Sequence, residues 1–207
     1  MIKTGSDNLD ELIQGYNEKI NYIYGPPGSG KTTLCSLASI SLLKEKKKVI
    51  YIDTENGFSI DRFKQLTNDL SLLDNLLLIR VKNFQEQIEK INSLKKLKNI
   101  GLVIIDSLGN HYREEVKKEH KEVNEKLAEH LNDLREITRN NIPVLLTNQV
   151  YADIEKNKIV PVGGEMVKKF CKKIIELQVK PRRIFIQTKP EEKYMEFKIE
   201  ENGIFRI

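Results

Sequence analysis

The chain has 207 residues, 31% of them charged, with a formal net charge of +5. That length gives one domain, residues 1–207, with a sizeable core, and no apolar run approaches the roughly 20 residues a membrane-crossing helix needs. Met1-Ile-Lys-Thr-Gly5 lacks the apolar stretch of a secretory signal, and two cysteines without metal-ligand spacing suit a reducing compartment, so we expect a soluble cytoplasmic protein.

Leu9, Leu12 and Ile13 recur at helical spacing behind Ser6 or Asp7 as N-cap, which gives a short amphipathic helix packed on the first strand. That strand is Ile20 to Tyr24, alternating and rich in β-formers. The stretch Gly25-Pro26-Pro27-Gly28-Ser29-Gly30-Lys31-Thr32-Thr33 then fits G-x-x-x-x-G-K-[ST]. Lys31 to Leu43 has no Pro or Gly and carries Leu34, Leu37, Ala38, Leu42 and Leu43, so it reads as a buried helix. Strand, glycine loop and helix N-terminus in that order turn successive backbone N–H groups onto a polyphosphate. Gly28 and Gly30 let the backbone approach phosphate oxygens, Lys31 sets a cation at the β and γ phosphates, and the Thr32 hydroxyl is a ligand for Mg²⁺. A chance glycine turn is the bland alternative; the flanks and the paired Thr32-Thr33 weigh against it.

Lys48 to Asp53 is an apolar run ending in an acid, a buried parallel strand. Thr54 to Gly57 reads as loop, Asp61 to Leu70 as helix, Leu76 to Val81 as strand, and Phe84 to Leu97 as a helix with Ile88, Ile91 and Leu94 on one face. Ile100 to Asp106 is a second apolar strand that delivers a carboxylate to the sheet's C-terminal edge, beside the glycine loop. Alone that is a weak signal; with this loop, Asp106 becomes the residue that holds Mg²⁺ through water, opposite Thr32.

Residues 110–140 begin charge-dense, which suggests a loop or a solvated helix end, and continue as a helix with Val123, Leu127, Leu131, Leu134 and Ile137 on one face. Pro143 to Gln149 is another buried strand, and Tyr151 to Val162 a loop closed by Pro161-Val-Gly-Gly164. Lys173 to Val179, Arg183 to Thr188 and Tyr194 to Ile199 are β-rich, and Asn202-Gly203 makes a hairpin of the last run with Ile204 to Ile207. The fold class is therefore α/β: a mostly parallel central sheet with helices on both faces and a C-terminal antiparallel extension. His111, His120 and His130 lack ligand spacing and read as solvated, Cys35 and Cys171 as small core residues. Eight basic residues lie between Lys168 and Lys189 against Glu176 alone, a larger surplus than the whole chain carries.

Thr4-Gly-Ser, Leu9-Asp-Glu-Leu12, Tyr24 to Thr33, Tyr51-Ile-Asp-Thr-Glu55, Phe58-x-x-Asp-Arg62, Ile105-Asp-Ser-Leu108, Thr147-Asn-Gln-Val150 and Pro161 to Gly164 stand in one order. Together they resemble the RecA-type recombinase core, a P-loop NTPase fold, and within it the short archaeal paralogues of the RadA recombinase. RadA's N-terminal helical DNA-binding domain and polymerisation linker have no counterpart. The resemblance implies a weak Mg²⁺-dependent ATPase of DNA repair and homologous recombination. Its cofactors are ATP and Mg²⁺, its partners DNA, single-stranded or branched, and a RadA-type recombinase or Holliday-junction resolvase. It gives Glu55 the role of polarising the attacking water, Gln149 that of sensing the γ-phosphate, and Arg62 that of stacking on adenine; Lys31 assists in the transition state.

The departures point away from strand exchange on a long filament. Where the family's loop after the Asp106 strand carries DNA-contacting arginines and glycines, this chain reads Lys117-Lys-Glu-His-Lys-Glu-Val123, nearly neutral and without the glycines. Tyr151 to Val162 is short with opposed charges, and Gln187-Thr-Lys-Pro190 lacks the acids that cap a neighbour's ATP. The basic run then becomes the candidate for phosphate contacts, with solvated lysines as the alternative. Two functions stay open: an accessory ATPase that binds DNA, or an ATP-gated interaction module in which hydrolysis is incidental. An autokinase of the same superfamily ranks below both, since Asn56 follows Glu55 where a second glutamate is usual.

Overall fold

A computed structural model describes residues 1–117, 120–153, 158–188 and 191–207. In chain order the elements are α1 (Asp7–Ile13), β1 (Ile20–Tyr24), α2 (Lys31–Lys44), β2 (Lys48–Asp53), α3 (Ile60–Thr67), a 3₁₀ turn (Leu70–Asn75), β3 (Leu76–Arg80), α4 (Phe84–Leu94) and β4 (Ile100–Asp106). There follow α5 (Gly109–Val116), α6 (His120–Arg139), β5 (Val144–Asn148), β6 (Val150–Asp153), β7 (Lys158–Pro161), α7 (Gly164–Phe170), β8 (Lys173–Leu177), β9 (Arg183–Thr188), β10 (Glu191–Glu200) and β11 (Gly203–Arg206).

The main sheet has the order β11-β10-β9-β8-β1-β5-β4-β2-β3. From β8 to β3 every pairing is parallel, whereas β9, β10 and β11 pair antiparallel. The expected parallel sheet with an antiparallel extension is thus present. Strands β1 and β5 are buried at every position, because helices on both faces leave them no solvent side. Alternate residues feed two cores: Ile23, Tyr51, Ile104 and Leu145 join α1, α2 and α3 on one face. Tyr22, Ile52, Ile105 and Leu146 join α4 to α7 on the other. The order places the C-terminal ends of β1, β2, β4 and β5 side by side, so their following loops converge at one edge.

Several expectations are corrected. The charge-dense segment is helical as α5 up to Val116, because Arg113 and Glu114 face water while His111 and Tyr112 are buried against the second core; positions 118–119 lie outside the described residues. Residues 151–162 are not simply loop: Val150 to Asp153 pairs antiparallel with Lys158 to Pro161, and positions 154–157 lie outside the described residues. Helix α7 went unread because Gly163-Gly164 looked like loop closure; Gly163 takes a left-handed φ of 74° and Val167 anchors the helix in the core. Helix α1 lies chiefly on β10 and β11; Ser6 is its N-cap residue as expected, but its Oγ donates to Ile204 O instead of accepting from the helix. His111 and His130 are buried, not solvated; the side chain of His120 lies outside the description. Burial holds the His130 imidazole neutral, with a pKa lowered to about 3. No helix among the described residues is long and apolar enough to cross a membrane.

Candidate nucleotide-binding site

The loop between β1 and α2 has the backbone its glycines were expected to provide. Gly28 has φ 71° and Gly30 φ 106°, left-handed values that favour glycine. A Cβ on Gly25 would lie 2.6 Å from the Leu177 carbonyl oxygen, so β8 also dictates a glycine there. Ser29 N–H donates to Pro26 O at 3.2 Å, closing a turn. The Lys31 ammonium donates to the Gly25 and Pro26 carbonyls at 2.9 and 3.0 Å. Burial lowers its pKa, and the charges of Asp106 and Glu55 oppose that shift. A cation held in such a cleft meets little screening, so an entering polyphosphate would feel it strongly.

Around Lys31 lies a cleft of about 310 Å³ lined by Gly28, Gly30, Lys31, Thr32, Thr33, Glu55, Asp106 and Gln149, among others. Thr32 Oγ1 donates to Asp106 Oδ2 at 2.8 Å, and the Tyr51 hydroxyl donates to the same oxygen at 2.7 Å. The Thr147 hydroxyl donates to Asp106 Oδ1. A hydroxyl and an oriented carboxylate are hard oxygen donors of the kind Mg²⁺ takes while keeping most of its waters, so this donor set fits the ion.

Glu55 is aimed by three other residues. Asp53 accepts from the backbone N–H groups of Gly57 at 3.0 Å and Phe58 at 3.1 Å, which folds the post-β2 loop over the cleft. The Ser107 hydroxyl donates to Glu55 Oε1, and Gln149 Nε2 donates to Oε2 at 2.7 Å. Two carboxylates, Glu55 in the loop after β2 and Asp106 at the end of β4, therefore face one cradle with Lys31, Thr32 and Gln149.

A sequence profile of the Rad51 family matches residues 1–206. The chain belongs to the Rad51 family. It is similar to DNA repair and recombination protein RadB of Methanococcus maripaludis strain C7, at 38% identity over 207 residues, covering 96% of this chain and 94% of that protein. The RadB of Methanoculleus marisnigri is 37% identical over 218 residues, covering 98% and 96%. A solved structure, that of the RadB recombinase, aligns over 100% of both chains with a TM-score of 0.79 at 34% identity. The RecA-like fold and the likeness to the short archaeal branch both hold.

Within this Rad51-family site, sequence reasoning missed Tyr51, Asp53, Ser107 and Thr147, which aim the two carboxylates. Tyr51 and Thr147 lie inside β2 and β5, Asp53 ends β2 and Ser107 follows β4, but no spacing rule ties a hydroxyl to a particular carboxylate. Arg62 stands outside the phosphate cleft: its guanidinium donates to the Glu200 and Glu201 carbonyls at 2.7 and 2.9 Å and to Gln65 Oε1 at 2.9 Å. That holds it against the β10–β11 turn, one residue from Ile199, which lines the cleft.

The basic run is divided in the folded Rad51-family chain. Lys168 on α7 pairs with Glu165 at 3.2 Å, and its ammonium lies 5.4 Å from the Tyr24 ring centroid. Lys173 donates to the Ile13 and Gly15 carbonyls at 2.5 Å each, and burial lowers its pKa. Arg183 pairs with Glu196 at 2.6 Å. Lys169 and Lys172 face solvent, and Lys189 lies outside the described residues.

Proposed function

We propose that this chain is an accessory ATPase of DNA repair and homologous recombination, a single RecA-like unit that binds ATP with Mg²⁺, hydrolyses it slowly and binds DNA without driving strand exchange. The observation that carries the reading is the convergence of Glu55, Asp106, Lys31 and Thr32 on one cleft, in a Rad51-family chain whose relatives are named for DNA repair and recombination. Glu55 aligns a water for in-line attack on the γ-phosphate. Lys31 offsets charge on the transferring group, and Thr32 and Asp106 hold Mg²⁺, which supplies further charge neutralisation when bound. Gln149, now on Glu55, is a neutral amide able to turn to a phosphate oxygen instead. Because β6 begins at Val150, that turn would bear on the β6–β7 hairpin. Arg62 remains the residue assigned to adenine, and no membrane partner is involved. No arginine lines the cleft among the described residues, so turnover should be slow unless a neighbouring chain supplies one.

The test is a titration of fluorescent single-stranded and branched DNA with and without ATP and Mg²⁺, at two salt concentrations. Tighter binding with nucleotide and a steep loss with salt are expected; no binding of either DNA would end the DNA half of the proposal. The Gln149–Glu55 hydrogen bond also favours a second reading, an ATP-gated module that regulates a recombinase or a junction nuclease. A Glu55→Gln protein that complements in cells without any turnover would select it.

A further inference from the structure

We propose that Arg182 is a positioning residue of the nucleotide site, holding the Gly28 peptide of the phosphate loop in its binding geometry and so tying that loop to the C-terminal antiparallel strands. The inference rests on the ATP reading above. Arg182 Nη1 donates to the Gly28 carbonyl at 2.9 Å. Its guanidinium lies 5.7 Å from the Phe197 ring centroid, and its carbonyl accepts from Phe197 N–H at 3.1 Å. The residue is therefore fixed at both ends, backbone and side chain, by the neighbouring strand β10.

The same strand touches the other side of the loop. A Cβ on Gly30 would lie 2.8 Å from Ile199 Cδ1 and 3.9 Å from Phe197 Cε2. Gly28, with φ 71°, is the third residue of the turn closed by the Ser29 N–H bond to Pro26 O. Rotating the peptide between Gly28 and Ser29 would break that bond and the Arg182 bond together. Lys31 occupies the Gly25 and Pro26 carbonyls, so two cations hold three loop carbonyls, and phosphate meets the remaining N–H groups. Among the described residues no carboxylate pairs with Arg182, whose charge stands undivided beside the loop. A planar, stacked guanidinium does this; an ammonium would keep the charge and lose the plane.

The experiment titrates the full chain with methylanthraniloyl-ATP and Mg²⁺, comparing Arg182→Ala, Arg182→Lys and, as a control on the next residue, Arg183→Ala. Hydrogen exchange across residues 25–31 without nucleotide and urea unfolding run alongside. Losing one exposed charge-assisted bond should weaken binding by about 10-fold in Arg182→Ala, with faster exchange across the loop and an unfolding midpoint close to the parent's. Arg182→Lys should fall between. Affinity within 2-fold of the parent, an equal loss in Arg183→Ala, or weakening only in step with global destabilisation would overturn the assignment. If the parent itself does not bind nucleotide, the ATP reading fails, while unchanged loop exchange in Arg182→Ala would separately refute the role of Arg182.

Discussion

Tyr51→Phe tests the network that aims Asp106. The Tyr51 side chain is 0% exposed and Asp106 only 6%, so water has little access to replace a lost donor. The substitution keeps the ring, which packs edge-on to Phe58 at 5.1 Å, and removes only the hydroxyl that donates to Oδ2 at 2.7 Å. A hydrogen bond to a charged group contributes about 1.5–3 kcal/mol. Thr32 and Thr147 still serve the carboxylate, which puts the expected loss at the lower end, about 1.5–2 kcal/mol, or roughly 3–8 °C in the unfolding midpoint of a chain this long. Binding should suffer as well. A carboxylate that loses one of its orienting partners holds a metal about 10-fold more weakly, so more Mg²⁺ should be needed for half-saturation with nucleotide. Urea unfolding and a Mg²⁺ titration at fixed nucleotide read the two effects. Thr147→Val should resemble Tyr51→Phe, and the double variant should lose a different amount from the sum, because the two hydroxyls share one carboxylate. A Tyr51→Phe protein with both the parent midpoint and the parent Mg²⁺ requirement would refute the reasoning.

Glu55→Gln should lower ATP turnover by about 10²–10⁴-fold while leaving nucleotide affinity within about 3-fold; a matched loss of affinity would instead give Glu55 a structural part. His130 bears on acid stability: its folded pKa of about 3 lies below its ordinary 6.5. Its contribution is therefore fully present above pH 6.5 and is lost as pH falls from 6.5 toward 3, by up to about 1.4 kcal/mol per pH unit. Urea midpoints at pH 7.5, 5.5 and 4.5 measure this, and an identical pH slope in His130→Gln would remove His130 as the cause. Changing Lys168, Lys169 and Lys172 together to Ala should reduce the salt slope of single-stranded DNA binding by about 2; an unaltered slope and affinity would take these lysines out of the DNA contact.

The parallel half of the fold was legible because each of its parts satisfies two signals at once. Gly25 to Thr33 matched a spacing and stood between a strand and a helix, and Ile100 to Asp106 was apolar and ended in an acid. Glu55 and Gln149 needed the family resemblance, since nothing in a lone acid or amide says which way it points. What escaped notice depended on contacts between distant segments. Helix α5 is anchored by the buried His111 and Tyr112, which a count of charges along the chain hides. Lys173 reads like any other lysine until α1 supplies the carbonyls that bind it. Ser107 and Thr147 acquire partners only because β2, β4 and β5 end at one edge.

Strand β1 lies between β5 and β8, both of which are made long after it. During synthesis the glycine loop therefore leaves the ribosome without the walls that shape it: the Gly25 N–H waits for the Asn148 carbonyl, and the Gly28 carbonyl for Arg182. A nascent chain truncated before β8 lacks one side of its nucleotide cradle, so nucleotide should act late in maturation and select chains whose C-terminal strands have already docked.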